Sequence, residues 1–125
     1  MKVLDTTVAI DHLRGKDAAV ELLDMLLDSE ADLVASEVVR YELLAGAHDE
    51  EMEAVEDFSS AITWLPVGEK VAREAAALSR RHRRSHSGIE PTDYMIAATA
   101  LLLEAELLTT NVKHFPMIAG LEPPY

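Results

Sequence analysis

Short apolar runs alternate with longer segments of helical periodicity along this 125-residue chain. Strands that are buried on both faces are apolar without alternation, so the short runs predict a buried sheet. Four strands are predicted at residues 2–5, 32–35, 62–67 and 106–109, with a short edge strand near Leu121. Helices are predicted at residues 8–13, 18–27, 37–46, 48–60, 69–84 and 91–103. This order predicts one α/β domain over residues 1–125, with a mostly parallel sheet covered on both faces.

The predicted helix at residues 91–103 contains a single charged residue, Asp93. Pro91 suits the first helical position, which places Asp93 in the first turn, where the helix dipole favours negative charge. The residues that follow Asp93 at helical spacing are Ile96, Ala97, Ala100 and Leu101. Asp93 therefore heads the predicted buried stripe, although a first-turn acid that only complements the dipole is the simpler interpretation.

A second carboxylate, Glu42, interrupts the apolar face of the predicted helix at residues 37–46. Ser36 directly precedes this helix and suits its N-cap. Glu37 and Arg40 lie off the apolar face and are expected in solvent. Glu42, in contrast, is expected to point towards the protein interior.

The chain is acidic and free of cysteine, with 23 Asp and Glu against 11 Lys and Arg and a net charge of −12. Disulfides and thiolate metal sites are therefore excluded. No apolar stretch reaches the length of about 18 residues needed to span a membrane, and the N-terminal apolar run is too short for a signal peptide. A cytoplasmic protein without membrane contact is expected. His82 and His86 are four residues apart, but two histidines do not complete a zinc site.

Four oxygen-bearing side chains from separate segments are candidates for one shared site. Asp5 ends the first strand, Asn111 follows the fourth, and Glu42 and Asp93 interrupt helix faces. In an open parallel sheet, ligands bind beyond the carboxyl ends of the strands. Burying three carboxylates together is costly unless a cation neutralises them, and Mg²⁺ or Mn²⁺ suits an all-oxygen site.

The chain resembles PIN-domain proteins, and specifically the VapC toxins of type II toxin–antitoxin systems. The resemblance runs along the whole chain, and its motifs are Val3-Leu4-Asp5-Thr6-Thr7, Ser36 with Glu42-Leu43, Asp93-Tyr94-Met95-Ile96-Ala97-Ala98-Thr99-Ala100 and Leu107-Leu108-Thr109-Thr110-Asn111-Val112-Lys113-His114-Phe115. It implies a PIN-like three-layer α/β/α sandwich with a mostly parallel sheet of four or five strands.

The resemblance also implies the site. Asp5, Glu42 and Asp93 match the three acids that hold Mg²⁺ in this family, with Mn²⁺ as a substitute. Asn111 stands where many relatives carry Asp; its amide oxygen can still coordinate but adds no charge. The implied reaction is metal-assisted hydrolysis of RNA phosphodiesters, which leaves 5′-phosphate and 3′-hydroxyl ends.

Further residues are candidates for contacting the RNA. Thr109 is expected to position a water or a phosphate, and Thr6 could do the same, although it and Thr7 also suit the N-cap of the first helix. The basic cluster at residues 80–84, together with Lys113 and His114, is the candidate for phosphate contacts. The cluster members named for this role are Arg80, Arg81 and Arg84. Cations at a helix end also complement the dipole, so a purely structural interpretation stays open.

Two protein partners are implied by the same resemblance. An antitoxin commonly blocks the site in this family, often with a basic side chain, which a negatively charged pocket would attract. Homodimers are usual, and the predicted helix at residues 18–27, apolar almost all round, could support one. Burial in the core would explain this helix equally well, and in either case it is expected to be well covered.

Three other functions are compatible with parts of the sequence. The first is a PIN nuclease that processes RNA without an antitoxin. The second is a PIN-like binding module that has lost catalysis, which only Asn111 favours. The third is a phospho-acceptor signalling domain, which is disfavoured because no Lys stands directly at the end of the fourth strand.

The excess of acids predicts a protein that is stabilised by salt. Like charges destabilise the folded state, and at about 1 M salt the Debye length falls to about 3 Å. We expect the free energy of unfolding to rise steadily from dilute buffer to about 1 M NaCl, measured by urea unfolding at each salt concentration. Full stability in dilute buffer, with no further gain on adding salt, would contradict a halophilic interpretation of the composition.

Overall fold

The computed structural model describes residues 1–125 and contains six α-helices around a four-stranded sheet. The strands are β1 (Lys2–Leu4), β2 (Leu33–Ser36), β3 (Thr63–Leu65) and β4 (Glu106–Leu108). The helices are α1 (Thr6–Leu13), α2 (Asp17–Asp28), α3 (Glu37–Gly46), α4 (Met52–Ser60), α5 (Glu69–His82) and α6 (Pro91–Leu103). Short 3₁₀ turns occupy Asp49–Glu51 and Val112–His114.

All strand pairs are parallel, and their order across the sheet is β3-β2-β1-β4. Val3 and Leu4 point to opposite faces of β1, and neither is exposed to solvent. Both faces of the sheet are therefore covered, as the unbroken apolar runs predict. The expected edge strand near Leu121 is wrong: that segment has no strand pairing, and Leu121 packs half-buried against the core.

Helix α6 has the predicted bounds, with Pro91 at its first position. Its small side chains Ala97, Ala98 and Ala100 are almost completely buried, which allows the helix to pack closely. The expected buried stripe is wrong at its far end, because Leu101 is 38% exposed. The last turn of the helix has left the core there.

Helix α2 is not well covered, contrary to expectation. Its side chains Ala19, Leu23 and Leu26 are buried, but Met25 is 61% and Leu27 40% exposed. Met25 and Leu27 are two residues apart and therefore lie on opposite flanks of the buried face, where each is only partly covered. The apolar composition of α2 thus reflects a buried face bordered by two exposed apolar side chains.

The caps of α1 and α3 differ. The Ser36 side chain accepts a hydrogen bond from the Val38 backbone N–H at 3.2 Å, which confirms its predicted role as N-cap of α3. The predicted capping role of Thr6 and Thr7 is wrong, because α1 begins at Thr6 and its N-cap residue is Asp5. The two threonine hydroxyls are thus available for other contacts.

Arg40 is not simply solvated, contrary to expectation. Its guanidinium donates two hydrogen bonds to Glu37, at 2.6 and 3.1 Å, and lies 4.4 Å from the centre of the Trp64 ring. These contacts fix the start of α3 against β3.

None of the six helices combines the length and apolarity needed to cross a bilayer.

Candidate active site

Asp5 stands at the carboxyl end of β1 and is 3% exposed. Its backbone N–H donates to the Leu108 carbonyl at 3.0 Å, which ties it to the neighbouring strand β4. Its Oδ2 accepts hydrogen bonds from the hydroxyls of Thr109 at 2.6 Å and Thr7 at 3.1 Å. The carboxylate is thus held in one orientation by a residue from each of two segments.

Thr109 supports Asp5 and does not face the substrate. It is fully buried, its hydroxyl donates to Asp5, and the same oxygen accepts the backbone N–H of Asn111 at 3.0 Å. The predicted contact of Thr109 with a phosphate is therefore wrong, because the hydroxyl is enclosed and its proton is already engaged. Thr7 completes this network by accepting the Thr110 backbone N–H at 3.1 Å.

Glu42 projects from the middle of α3 and is half-buried. Its Oε1 accepts a hydrogen bond from the Thr6 hydroxyl at 2.7 Å. Thr6 therefore orients Glu42, which is the contact that replaces its predicted capping role. Sequence analysis missed this contact, because it depends on how α1 packs against α3.

Asp93 lies in the first turn of α6 with a side chain that is 14% exposed. Its Oδ2 accepts the backbone N–H of Glu90 at 2.9 Å and lies 3.0 Å from Nδ1 of His114. The capping contact agrees with the simpler interpretation of a first-turn acid. The contact with His114, however, connects Asp93 to the segment that follows β4.

The three acids affect one another electrostatically. Burial raises the pKa of Asp5 even though three hydrogen bonds oppose the shift, and the charge of Asp93 raises it further. Burial also raises the pKa of Glu42, with added contributions from the charges of Asp5 and Asp93. Residues 5, 42 and 93 thus form one region of negative charge, and their shared binding of an ion stays a prediction.

The chemistry of this donor set fits a hard divalent cation, since carboxylate oxygens are the ligands that Mg²⁺ and Mn²⁺ prefer. A cation would also offset the charge that raises the pKa values of Asp5 and Glu42. In the present side-chain positions, no three His, Asp or Glu residues have the spacing to share an ion directly. Joint coordination would thus require small side-chain rotations or intervening waters.

Asn111 and Lys113 lie beside the acids but do not contact them. Asn111 is half-buried, and its backbone N–H, not its amide, joins the threonine network. Lys113 is exposed on the short turn that also carries His114. The structure therefore places Lys113 next to a residue that touches the acidic site.

The basic cluster lies near the same end of the molecule. Arg80 and Arg81 are exposed on the last turn of α5, Arg84 is exposed beyond the helix end, and Arg81 lies 3.8 Å from Glu74. Arg83 and Pro91 line one groove, so the end of α5 lies beside the start of α6. Arg80, Arg81 and Arg84 form no ion pair or hydrogen bond with the three acids.

A second groove opens between α1, α3 and α4, with a volume of about 430 Å³. Its apolar lining includes Ile10, Leu13 and Val55. Its charged lining includes Glu42, Glu50 and Glu51, together with the basic Arg14. The groove is thus apolar with acidic groups along it, and it reaches one of the three candidate site acids.

Comparison with known proteins gives consistent matches. A family model described as the PIN domain matches residues 2–121. The chain is 54% identical over 125 residues to "Ribonuclease VapC19" of Mycobacterium tuberculosis, with both chains fully covered. It is 40% identical over 127 residues to "Ribonuclease VapC10" of the same organism, covering all of this chain and 93% of the relative.

Solved structures match over nearly the same extent. A toxin–antitoxin complex from Klebsiella pneumoniae superimposes with a TM-score of 0.81 at 25% identity, covering 100% of this chain and 98% of the other. The DNA-bound VapBC from Salmonella typhimurium gives a TM-score of 0.83 at 23% identity, covering 99% and 98%. These likenesses confirm the expected α/β/α fold.

The raised pKa of Asp5 predicts a stabilising substitution. Between its ordinary and its raised pKa, Asp5 binds more protons in the folded chain than in the unfolded chain, so the free energy of unfolding falls as pH rises through that window. Asp5→Asn removes the charge and keeps an oxygen that can accept hydrogen bonds from the threonine hydroxyls. We expect the metal-free variant to melt about 2–5 °C higher at neutral pH and to match the parent below the ordinary pKa of Asp.

Asp24→Asn is the matched control, because it removes one charge from an exposed position on α2. Thermal unfolding followed by circular dichroism in a chelator, at several pH values, separates the two variants. A D5N protein that melts below the parent at neutral pH would contradict a destabilising Asp5 charge. If the melting temperature of D24N rises as much as that of D5N, the effect comes from net charge alone.

Proposed function

This chain belongs to the PIN-domain family, and on that premise we propose that it is a Mg²⁺-dependent endoribonuclease and the toxin of a type II toxin–antitoxin pair. The observation that carries the proposal is the convergence of Asp5, Glu42 and Asp93, whose charges act on one another. Its relatives "Ribonuclease VapC19" and "Ribonuclease VapC10" support an RNA substrate.

Asp5, Glu42 and Asp93 would hold the cation in this proposal. When bound, Mg²⁺ or Mn²⁺ would lower the pKa of a coordinated water and offset charge on the attacked phosphate. The chain itself contributes orientation: threonine hydroxyls hold Asp5 and Glu42, and backbone and imidazole donors hold Asp93. These donors limit how far each carboxylate has to move to take up the ion, which lowers the cost of ordering the site.

Contacts with RNA are proposed for the exposed cations near the acids. A net charge of −12 repels a polyanion, so binding requires local positive groups that offset the phosphate charge. Lys113 is adjacent in sequence to His114, which contacts Asp93. Arg80, Arg81 and Arg84 are exposed around the end of α5, where Arg83 lines a groove together with Pro91 of α6. Asn111 is proposed to contribute a neutral oxygen beside the three acids.

Cleavage of defined RNAs by the purified protein tests the proposal. We expect cleavage with Mg²⁺ or Mn²⁺, none with chelator, and a loss of about 100-fold or more in Asp93→Asn and Glu42→Gln, because each removes a charge that holds the ion. Parallel reactions at low and high salt account for the acidity of the chain. An active protein in chelator, or unimpaired D93N and E42Q variants, would contradict the metal mechanism.

The same experiment addresses a binding module without catalysis. A well-folded parent that cleaves no RNA with either metal, at either salt concentration, would favour that function. Asn111→Asp would then be informative, since it restores the acid that many PIN-domain relatives carry at this position. Recovery of cleavage in N111D alone would assign the loss to the missing charge.

An antitoxin is the proposed protein partner, with the α1–α3–α4 groove as its binding surface. The Klebsiella structure is a toxin–antitoxin complex by its own description, which supports a partner of this kind. The groove joins an apolar lining to acidic groups and extends to Glu42. An amphipathic segment with basic side chains is complementary to it in both respects.

A homodimer is also proposed, with Met25 and Leu27 of α2 as exposed apolar contacts.

Filling the groove tests this surface. Ala54 is exposed and lines the groove, so Ala54→Trp places a large side chain in it. We expect the affinity for the protein encoded immediately upstream to fall about tenfold or more, measured by titration calorimetry. Ala61→Trp is the control, because Ala61 is exposed at the end of α4 outside the groove. Parent-like affinity in A54W would contradict the assignment.

A further inference from the structure

His114 connects the acidic site to the segment that follows β4. It ends the short turn Val112–His114, and its side chain is 36% exposed. Nδ1 of its ring lies 3.0 Å from Oδ2 of Asp93, across a separation of 21 residues in sequence. The sequence predicts His114 as a candidate for phosphate contacts, whereas the structure places its ring against Asp93.

The direction of this hydrogen bond follows from the chemistry of the two groups. An ionised carboxylate only accepts hydrogen bonds, so Nδ1 of His114 donates. The ring can donate from Nδ1 whether it is neutral or charged. The hydrogen bond from Nδ1 to Asp93 can therefore form with either a neutral or a charged imidazole ring.

Two donors from different segments converge on the same oxygen of Asp93. The backbone N–H of Glu90 reaches Oδ2 at 2.9 Å from the start of α6, and His114 reaches it at 3.0 Å from beyond β4. Two donors on one oxygen restrict rotation of the carboxylate about its side-chain bonds. The hydrogen bonds fall on Oδ2, so the restraint does not occupy Oδ1.

The other two acids are restrained in a similar way. Thr109 donates to Asp5 from the end of β4, and Thr6 donates to Glu42 from the start of α1. Each of the three acids therefore has a side-chain donor from a different segment of the fold. For Asp93, that donor is His114.

A purely structural role does not account well for the pair. A half-exposed contact of this kind adds little to stability, because solvent screens it and ordering the side chain costs entropy. Its position on one of the three converging acids points to the site instead. Donors that orient ligand side chains have large effects on metal affinity.

We propose that His114 is a positioning residue, which restrains Asp93 through Nδ1 and keeps Oδ1 of that carboxylate available for the divalent cation. This inference rests on the proposed function, because it assigns a role towards the ion that Asp93 would hold. It identifies His114 as a support for the metal site and not as a contact with the RNA phosphate.

Three substitutions at position 114 test the geometry of the donor. His114→Leu removes the donor and keeps an apolar side chain of moderate size. In His114→Asn the amide nitrogen can occupy the position of Nδ1, whereas in His114→Gln it lies nearer the position of Nε2. We expect the dissociation constant for Mn²⁺, measured by titration calorimetry, to rise about tenfold or more in H114L and H114Q and to stay within about threefold of the parent in H114N.

Kinetics give a second readout in the same variants. At fixed Mn²⁺ below saturation, we expect kcat to fall in H114L while KM for RNA stays unchanged, because the substrate contacts are intact. At saturating Mn²⁺, the kcat of H114L should return most of the way to the parent value. A rise in KM with kcat unchanged would instead make His114 a substrate contact and overturn the inference.

Controls separate this inference from the proposed function. His86→Leu removes an exposed histidine from the loop between α5 and α6, and should leave the Mn²⁺ dissociation constant unchanged. Melting temperatures establish that each variant is folded, and H114Q carries the test if H114L does not fold. A parent that binds Mn²⁺, with equal or tighter binding in H114L and H114Q, overturns the role of His114 alone. A parent that binds no Mn²⁺ overturns the proposed function and this inference with it.

Discussion

The burial of Asp5 and Glu42 close to one another and to Asp93 is the constraint on which the site depends. Burial and neighbouring charge raise the pKa values of Asp5 and Glu42, so the folded chain holds these acids at a cost in stability. Donors from other segments partly offset this cost and fix the orientation of each carboxylate. Such strain is expected where stability is exchanged for function, and a divalent cation would relieve it.

The parallel sheet explains how residues so far apart in sequence meet. Strands β1 and β4 are neighbours, so Asp5 and Thr109 lie side by side just beyond the carboxyl ends of these strands. Glu42 follows from β2 through α3, and Asp93 precedes β4 in α6. Each acid belongs to a different crossover, yet all lie at the carboxyl ends of the strands, where open α/β sheets bind ligands. The acidity of the remaining surface adds a separate requirement for local cations in any contact with RNA.

Much of this arrangement is predictable from single residues, and the rest is not, for physical reasons. Unbroken apolar runs identify the four strands, and Pro91 fixes the start of α6. The hydroxyl network around Asp5 depends on the register of β1 against β4, which local sequence does not determine. The same holds for His114, whose contact with Asp93 depends on how the segment after β4 turns. Exposure of Met25 on α2 was unpredictable because composition does not say which apolar face meets the core.

The most direct measurement is anomalous diffraction from crystals of the protein grown with Mn²⁺. One strong peak bounded by carboxylate oxygens of residues 5, 42 and 93 is the predicted result, with modest rotation of those side chains from their metal-free positions. Mn²⁺ bound elsewhere on this acidic surface, with the three carboxylates unchanged, would contradict a shared cation and the nuclease mechanism built on it.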